Sequence, residues 1–383
     1  MKILKQSKYN FREAKLDKKF CPEKLLKVKE FIDNGTSFTI IGMPGVGVSY
    51  FLRFLASQAN YAHFIFIDMY ALSTLSRLEY ISWLLKELEG EATSKSEQQI
   101  FNECKERLAL LAQKQPKIVI IFNRFDQLVA EFDKQFLANI RAFKYIAPEK
   151  IVMIFTSNKP LYEIASDALV VSNIHFYSPV FFFNTYSTDD LNSLTKITIP
   201  DNFKKDKQRI KRLIELSGGH NQLFMICVKS ESQENLLADR FVQLQLRELY
   251  EFLSYHQQKV LQKIALGKKI DEVDSFLLNI GLVKKTNPGY ELFTPLLKEY
   301  ILSKGEVKIP AKEGKLFKLL KQNLGQVVSK DQIFDYVYPD DLDGASDWAL
   351  NALVYRLRKN PSFKSGGFII ENYKKMGYII YKT

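Results

Sequence analysis

The sequence feature that most constrains the fold is a glycine-rich segment between an apolar run and an amphipathic stretch. Residues 37–56 read SFTIIGMPGVGVSYFLRFLA, which predicts a buried strand, a tight turn and a helix that starts near Ser49. The turn matches the phosphate-loop pattern G-x-x-x-x-G-K-[ST] in spacing and at every fixed position but one, because Val48 stands in place of the lysine.

The missing lysine affects the predicted chemistry of the loop but not its predicted fold. Glycines at Gly42, Gly45 and Gly47 let backbone N–H groups curl around a phosphate, and the helix that starts near Ser49 offers its positive N-terminal end. The lysine that neutralises a transferred phosphate is missing, and Val48 cannot replace it. We expect a phosphate-loop fold without competent hydrolysis; the alternative is an ordinary glycine turn between a strand and a helix.

Composition sets the class of protein. A chain of 383 residues with 46% hydrophobic residues predicts two to four globular domains. No segment approaches the length of a membrane span, and the N-terminus MKILKQSKYNFREAK has charges where a signal peptide needs an apolar run, so we expect a cytoplasmic protein without membrane contact. Three cysteines and four histidines lie scattered, which predicts neither disulfides nor a metal site. The net charge of +12 favours a polyanionic partner.

Further apolar runs at 63–69, 117–122, 151–155 and 180–183 alternate with helical patterns, which predicts a parallel α/β sheet with helices on both faces. The run at 117–122 stands where a Walker B strand would be, and there an acidic residue ends the strand and holds magnesium. Here that position is Asn123, which is neutral. Asp126 follows three residues later; it either compensates in part for the missing carboxylate or caps the next helix.

The order of the glycine loop, "FIFIDMY", "VIIFNRFDQL", "FTSN" and "LSGGHNQLF" resembles the STAND and origin-recognition-like branch of AAA+ ATPases over residues 20–300. The resemblance implies a nucleotide-binding core and a helical lid. Asn123, Asn158 and Asn221 depart from the acidic residue, arginine and proline typical of that branch, which implies an ATPase cycle that is impaired or lost. Bound ATP or ADP is compatible with the pattern but not established by it. His220 either contacts a nucleotide or simply begins the next helix.

The rest of the chain divides by pattern. "NIGLVKKTNPGYELFTPLLKEYI" resembles the winged helix that follows the lid in this ATPase branch, and its helix at 271–280 is too acidic for a DNA groove. The predicted domains are a basic arm (1–20), a phosphate-loop NTPase-like core (21–185), a helical lid (186–245), a structural winged helix (246–303) and a second winged helix (307–383).

The C-terminal segment carries the basic charge. "LLKQNLGQVVSKDQIFDYVY", "NALVYRLRKN" and "FIIENYKKMGYII" resemble, in order and spacing, the winged helix of OmpR/PhoB-family DNA-binding domains. A helix from about 346 to 360 has an apolar stripe that we predict to be buried. The predicted stripe comprises Trp348, Leu350, Leu353, Val354 and Leu357.

The OmpR/PhoB resemblance implies that this helix enters the major groove of double-stranded DNA and that the following hairpin approaches the minor groove. The implied DNA-binding residues are Asn351, Tyr355, Arg356, Arg358 and Lys359 on the helix and Lys374 and Lys375 on the hairpin. The alternatives are that the basic face is only solvated, or that it docks a protein. Acidic residues between the second and third helices lie where this family touches RNA polymerase, so a polymerase or other protein partner stays open.

The sequence thus predicts a DNA-binding transcriptional regulator built on a degenerate, hydrolysis-deficient ATPase core. Two alternatives remain: an active nucleotide-dependent STAND switch, in which another chain supplies the missing charge, and a scaffold that binds other proteins.

Overall fold

The computed structural model describes most of the chain, and it divides into two compact units. The described residues are 9, 11–58, 61–92, 96–170, 173–200, 203, 206–230, 235–303, 311–339, 346–360, 363, 367–373 and 376–382. The first unit comprises Met1–Gln245, Ser275–Lys284 and Phe293–Pro295. The second unit comprises Leu246–Asp274, Lys285–Leu292 and Leu296–Thr383.

The first unit is built on a five-stranded parallel sheet in the order β2-β3-β4-β1-β5. The strands are β1 (Phe38–Gly42), β2 (His63–Asp68), β3 (Ile118–Asn123), β4 (Ile151–Ser157) and β5 (Val180–Phe183). Every residue of β1, β3 and β4 is buried, and since neighbouring residues point to opposite faces, both faces of the sheet are covered. The predicted phosphate-loop NTPase-like sheet is therefore confirmed.

Helices surround this sheet. They are α1 (Pro22–Asp33), α2 (Val48–Ser57), α3 (Arg77–Glu87), α4 (Glu97–Lys114), α5 (Lys134–Lys144), α6 (Leu161–Ile164), α7 (Ser166–Leu169), α8 (Ile174–Tyr177), α9 (Thr188–Thr198), α10 (Lys207–Ser217) and α11 (Asn221–Lys229). Short 3-10 helices span Arg12–Lys15, Met69–Ala71, Phe125–Glu131 and Leu236–Ala238. One core lies between α3, α4, α5 and the strands β2, β3 and β4. The described part of the N-terminal arm packs on β2, where Tyr9 Oη accepts the Phe66 N–H.

The chain then continues through α12 (Arg240–Glu251), α13 (Tyr255–Ala265), α14 (Ser275–Asn279), the short strands β6 (Val283–Lys285) and β7 (Tyr290–Leu292), and α15 (Pro295–Ser303). A capping box starts α13, in which the Ser254 hydroxyl accepts the Gln257 N–H and the Gln257 side chain accepts the Ser254 N–H.

The C-terminal part of the second unit is a winged helix. It comprises α16 (Ala311–Gln322), β8 (Val327–Ser329), α17 (Lys330–Val337), α18 (Asp347–Lys359), β9 (Phe368–Tyr373) and β10 (Gly377–Lys382). The three strands form an antiparallel sheet in the order β8-β10-β9, and their apolar residues share one core with the three helices. A capping box starts α17, in which the Ser329 hydroxyl accepts the Gln332 N–H and the Gln332 side chain accepts the Ser329 N–H.

One residue of the predicted stripe on α18 was misplaced. Leu350, Leu353, Val354 and Leu357 are buried, but Trp348 is 80% exposed. None of the helices within the described ranges is long and apolar enough to cross a membrane.

Candidate functional site

The phosphate loop connects β1 to α2 and contains two glycines with positive φ angles. Gly45 has φ +76° and Gly47, the residue that precedes α2, has φ +115°. Residues with a Cβ rarely adopt these φ values, so the two glycines allow the backbone conformation that the sequence predicts for the loop. Val48 begins α2 where the pattern would place lysine.

Residues of the predicted lid segment (186–245) pack directly against this loop. The Tyr186 hydroxyl donates to the Gly47 carbonyl at 2.7 Å, and the Gln222 N–H donates to the Gly45 carbonyl at 3.0 Å. A Cβ at Gly45 would lie 2.9 Å from Cβ of Gln222, and one at Gly47 would meet the Tyr186 ring. Both glycines are therefore required by the packing of protein on protein.

His220 completes the contact between lid and loop. It is fully buried and lies at the N-terminal end of α11, where Nδ1 accepts the Leu223 N–H at 3.1 Å. Nε2 must then carry the proton, which it donates to the Pro44 carbonyl at 2.8 Å. Burial lowers the pKa of His220 to about 4, so the ring is neutral and acts as a structural link.

Asn123 ends β3 at the position predicted for a Walker B acid, and it is 1% exposed. Its Oδ1 accepts from the hydroxyls of Ser49 at 3.1 Å and Thr156 at 3.3 Å. Its Nδ2 is buried without a hydrogen-bond partner, which costs about 1–3 kcal/mol. The amide oxygen is thus occupied by two protein hydroxyls.

Asp126 lies in the 3-10 helix after β3. Its Oδ2 accepts the Asn158 N–H at 2.9 Å, at the end of the neighbouring strand. Burial raises the pKa of the Asp126 carboxyl, although the hydrogen bond from Asn158 acts in the opposite direction. Asp126 thus links the segments that follow β3 and β4.

Two of the groups that hold a magnesium–nucleotide complex in a phosphate loop differ here. The cationic side chain is replaced by Val48, and the oxygen of Asn123 is taken by Ser49 and Thr156. Among the described residues, no group of three or more His, Cys, Asp or Glu side chains could hold a metal ion. Sequence patterns gave no signal for Tyr186, which is 139 residues from the glycine it contacts.

The second candidate site is the outer face of α18. A serine side chain caps the helix, since the Ser346 hydroxyl accepts the Ala349 N–H. All five residues of this helix predicted to bind DNA are exposed: Asn351, Tyr355, Arg356, Arg358 and Lys359. Three cations in the last turn also interact favourably with the helix dipole.

Three of the five predicted residues have intramolecular partners. Arg356 Nε donates to the buried Glu313 carboxylate of α16 at 2.7 Å, and its own side chain is 58% exposed. Arg358 donates through Nε and Nη2 to the Ile370 carbonyl of β9, at 3.1 and 2.7 Å. Asn351 Oδ1 accepts the Tyr378 hydroxyl at 2.6 Å.

The outermost line of the helix is aromatic and cationic. Tyr355 is 57% exposed, and the Lys359 ammonium lies 4.7 Å from the centre of its ring. Trp348 lies two turns before Tyr355. The predicted buried stripe includes Trp348, but the side chain is exposed. Lys374 and Lys375 fall outside the described residues.

A comparison with known protein families matches the C-terminal part of the chain. Residues 304–380 match the family described as "Transcriptional regulatory protein, C terminal". No curated protein matches the chain.

Three solved structures are similar to it. The Walker-type ATPase of Pyrococcus abyssi is 16% identical, with 75% of this chain and 96% of that chain covered and a TM-score of 0.46. The Aeropyrum pernix ORC1 protein in complex with DNA is 9% identical (94% and 88% covered, TM-score 0.41). Cdc6p from Pyrobaculum aerophilum is 12% identical (95% and 90% covered, TM-score 0.42). The family match assigns an OmpR/PhoB-type winged-helix domain to the C-terminus, and the parallel sheet gives the first unit a phosphate-loop NTPase-like fold.

Proposed function

We propose that this chain is a transcriptional regulator that binds double-stranded DNA through α18, and that its ATPase-like core does not hydrolyse nucleotide. The observation that carries the first part is the exposed face of α18, which presents Tyr355, Arg356 and Lys359 on a domain of a DNA-binding family. Its cations suit DNA phosphates, and its aromatic and amide groups suit base edges. We also propose that the protein is located in the cytoplasm.

The contacts within the domain refine what each residue can do. Asn351 Oδ1 accepts the Tyr378 hydroxyl, so one of its two lone pairs is already occupied. The other lone pair and the Nδ2 donors are left for an acceptor or donor on a base or a phosphate. Arg358 donates to the Ile370 carbonyl and holds the helix against the wing. Lys359 and Arg356 are the cations of α18 best placed for phosphates.

DNA binding is tested with the full chain and a short fluorescent duplex of mixed sequence at low salt. We expect Lys359→Ala to weaken binding and to reduce the slope of log K against log[salt] by about 1, because one phosphate contact is lost. Lys318→Ala is the matched control, since Lys318 is an exposed lysine of the same domain on α16. No binding by the wild-type chain at low salt would refute the proposal and favour a protein-binding scaffold.

The loss of hydrolysis is supported by three features of the core. Val48 removes the cation, Asn123 removes the acid, and the lid residues Tyr186 and Gln222 pack on the loop. Phosphoryl transfer depends on charge that neutralises the phosphate, so this loop lacks its main catalytic groups.

ATP turnover separates this proposal from an active switch. We expect the wild-type chain and Ser49→Ala to release phosphate at the same background rate, because the Ser49 hydroxyl is already bonded to Asn123. A wild-type rate above that of Ser49→Ala would establish the nucleotide-driven alternative. The acidic residues predicted to touch polymerase, Asp340, Asp341 and Asp343, lie outside the described residues, so a polymerase contact stays a proposal.

A further inference from the structure

Trp348 is the most exposed of the large hydrophobic residues in the described ranges, with 80% of its surface accessible. Tryptophan is a large residue that is highly buried on average, and at interfaces it often carries much of the binding energy. The side chain lies in the first turn of α18, next to the Ser346 cap. An indole in this place adds nothing to the core of its own domain.

The position of Trp348 on the helix relates it to the residues proposed to meet DNA. Successive residues of an α-helix are rotated by about 100°, so Trp348, Tyr355 and Lys359 fall within about 40° of one another. The buried residue Leu350 lies about 160° from Trp348 on the same wheel. The indole, the phenol and the ammonium therefore follow one line along the outer face of α18.

The charge beside Trp348 is compatible with a polyanion. Asp347 precedes it and would repel a phosphate, but its carboxylate is bonded to the Lys330 ammonium of α17 at 2.7 Å. That pair neutralises the acid at the start of the helix. The cations Arg356, Arg358 and Lys359 occupy the other end. The indole thus extends a cationic face rather than an acidic one.

We infer that Trp348 is a DNA-contacting residue of α18 that supplies affinity without charge; this inference rests on the proposed function. The ring offers an apolar face to sugar and base edges and one Nε1–H donor to a phosphate or base acceptor. The occupant of this surface is duplex DNA, because the line of Trp348 is continuous with the exposed Tyr355 and Lys359.

Because the Trp348 side chain is uncharged, its contact with DNA can be told apart from a lysine contact by the salt dependence of binding. Replacing a lysine that meets a phosphate lowers both the affinity and the salt dependence of binding. Replacing Trp348 lowers the affinity by about tenfold, a typical effect of an aromatic contact residue, and leaves the salt slope unchanged. A purely structural role would move neither quantity, and the exposed side chain has little to lose in stability.

The experiment uses the two tryptophans of the chain, Trp83 in the first unit and Trp348 in the second. In a Trp83→Phe background, emission comes from Trp348 alone. Titration with an unlabelled duplex of mixed sequence is expected to quench or shift that emission. In parallel, anisotropy of a labelled duplex gives the affinity and salt slope of Trp348→Ala, Trp348→Phe and Lys359→Ala.

Support requires a changed Trp348 emission on DNA addition, about a tenfold loss for Trp348→Ala at an unchanged salt slope, and partial recovery in Trp348→Phe. Wild-type affinity in Trp348→Ala, with Lys359→Ala weakened, would overturn this inference and leave the proposed function standing. A Trp348→Ala chain that loses salt dependence would also overturn it. A wild-type chain that does not bind the duplex would overturn both.

Discussion

Replacing Gly45 with alanine tests whether the phosphate loop is held by protein contacts rather than by a ligand. A residue with a Cβ at φ +76° loses about 1–2 kcal/mol. The new Cβ would also lie 2.9 Å from Cβ and Cδ of Gln222, and overpacking of this kind costs about 1–3 kcal/mol. The unfolded chain becomes less flexible, which offsets about 0.4–1 kcal/mol. We expect a net loss of about 2–3 kcal/mol in the free energy of unfolding of the first unit.

Gly35→Ala is the matched control because it changes the backbone strain without the lid contact. Gly35 has φ +65°, in the same unit as Gly45, and a Cβ there would lie 3.5 Å from its nearest neighbour, the Pro148 carbonyl. That distance is ordinary van der Waals contact, so we expect a loss of only about 1 kcal/mol from the strain. The difference between the two variants, about 1–2 kcal/mol, measures the clash with Gln222.

Urea unfolding monitored by Trp83 reads the stability of the first unit. Trp83 packs against the core of that unit, and a Trp348→Phe background removes the emission of the second unit. The double variant Gly45→Ala with Gln222→Ala should regain part of the loss, because it removes Cδ and Oε1 of Gln222 from the clash. Equal losses in Gly45→Ala and Gly35→Ala would refute the role assigned to the lid.

Three further predictions follow from buried contacts. His220 has a pKa of about 4 in the folded chain and about 6.5 when unfolded. Its contribution to the free energy of unfolding is therefore complete above about pH 6.5 and is lost as the pH falls toward 4. The urea midpoint of His220→Gln should consequently depend less on pH over this window than that of the wild-type chain. Gly377→Ala would drive a Cβ into the Val328 carbonyl, so we expect loss of β8–β10 pairing, seen as fast hydrogen exchange in those strands. Arg356→Ala leaves its buried carboxylate partner unpaired and should destabilise the second unit by about 1 kcal/mol in urea unfolding, whereas Lys359→Ala should not; equal stabilities would contradict the structural role of that pair.

The fold of the first unit could be predicted from sequence because its strands are buried on both faces. Such strands read as continuous apolar runs, and the four runs after the glycine loop placed β2, β3, β4 and β5 to within two residues at their ends. The capping box at the start of α17 is an equally local signal, since Ser329 and Gln332 are three residues apart. Local patterns determine local structure, so these predictions needed no knowledge of distant contacts.

The surroundings of the phosphate loop could not be predicted in the same way. Its nearest partners, Tyr186 and Gln222, are far from it in sequence and carry no periodic signal. The sequence shows that Val48 and Asn123 depart from the phosphate-loop pattern. It does not show that the hydroxyls of Ser49 and Thr156 donate hydrogen bonds to the Asn123 oxygen. Which group satisfies a buried polar atom depends on tertiary contacts.

Trp348 shows an error that the sequence itself could have prevented. It was assigned to the buried stripe because it is apolar and near the start of the helix. Leu350, Leu353, Val354 and Leu357 fall within about 100° of one another on a helical wheel, whereas Trp348 falls on the opposite side. Angular position, rather than hydrophobicity alone, decides which face a residue occupies.

The two candidate sites share one physical pattern, in which several polar groups form hydrogen bonds within the protein. Carbonyls of the glycine loop accept from Tyr186 and Gln222, and Arg358 donates to a wing carbonyl instead of a phosphate. A count of charges or glycines therefore overstates what either site can bind. At the loop, the contacts from Tyr186 and Gln222 lie on Gly47 and Gly45. On α18 they leave Trp348, Tyr355 and Lys359 outermost, which is why the proposed ligand contact is placed on the helix.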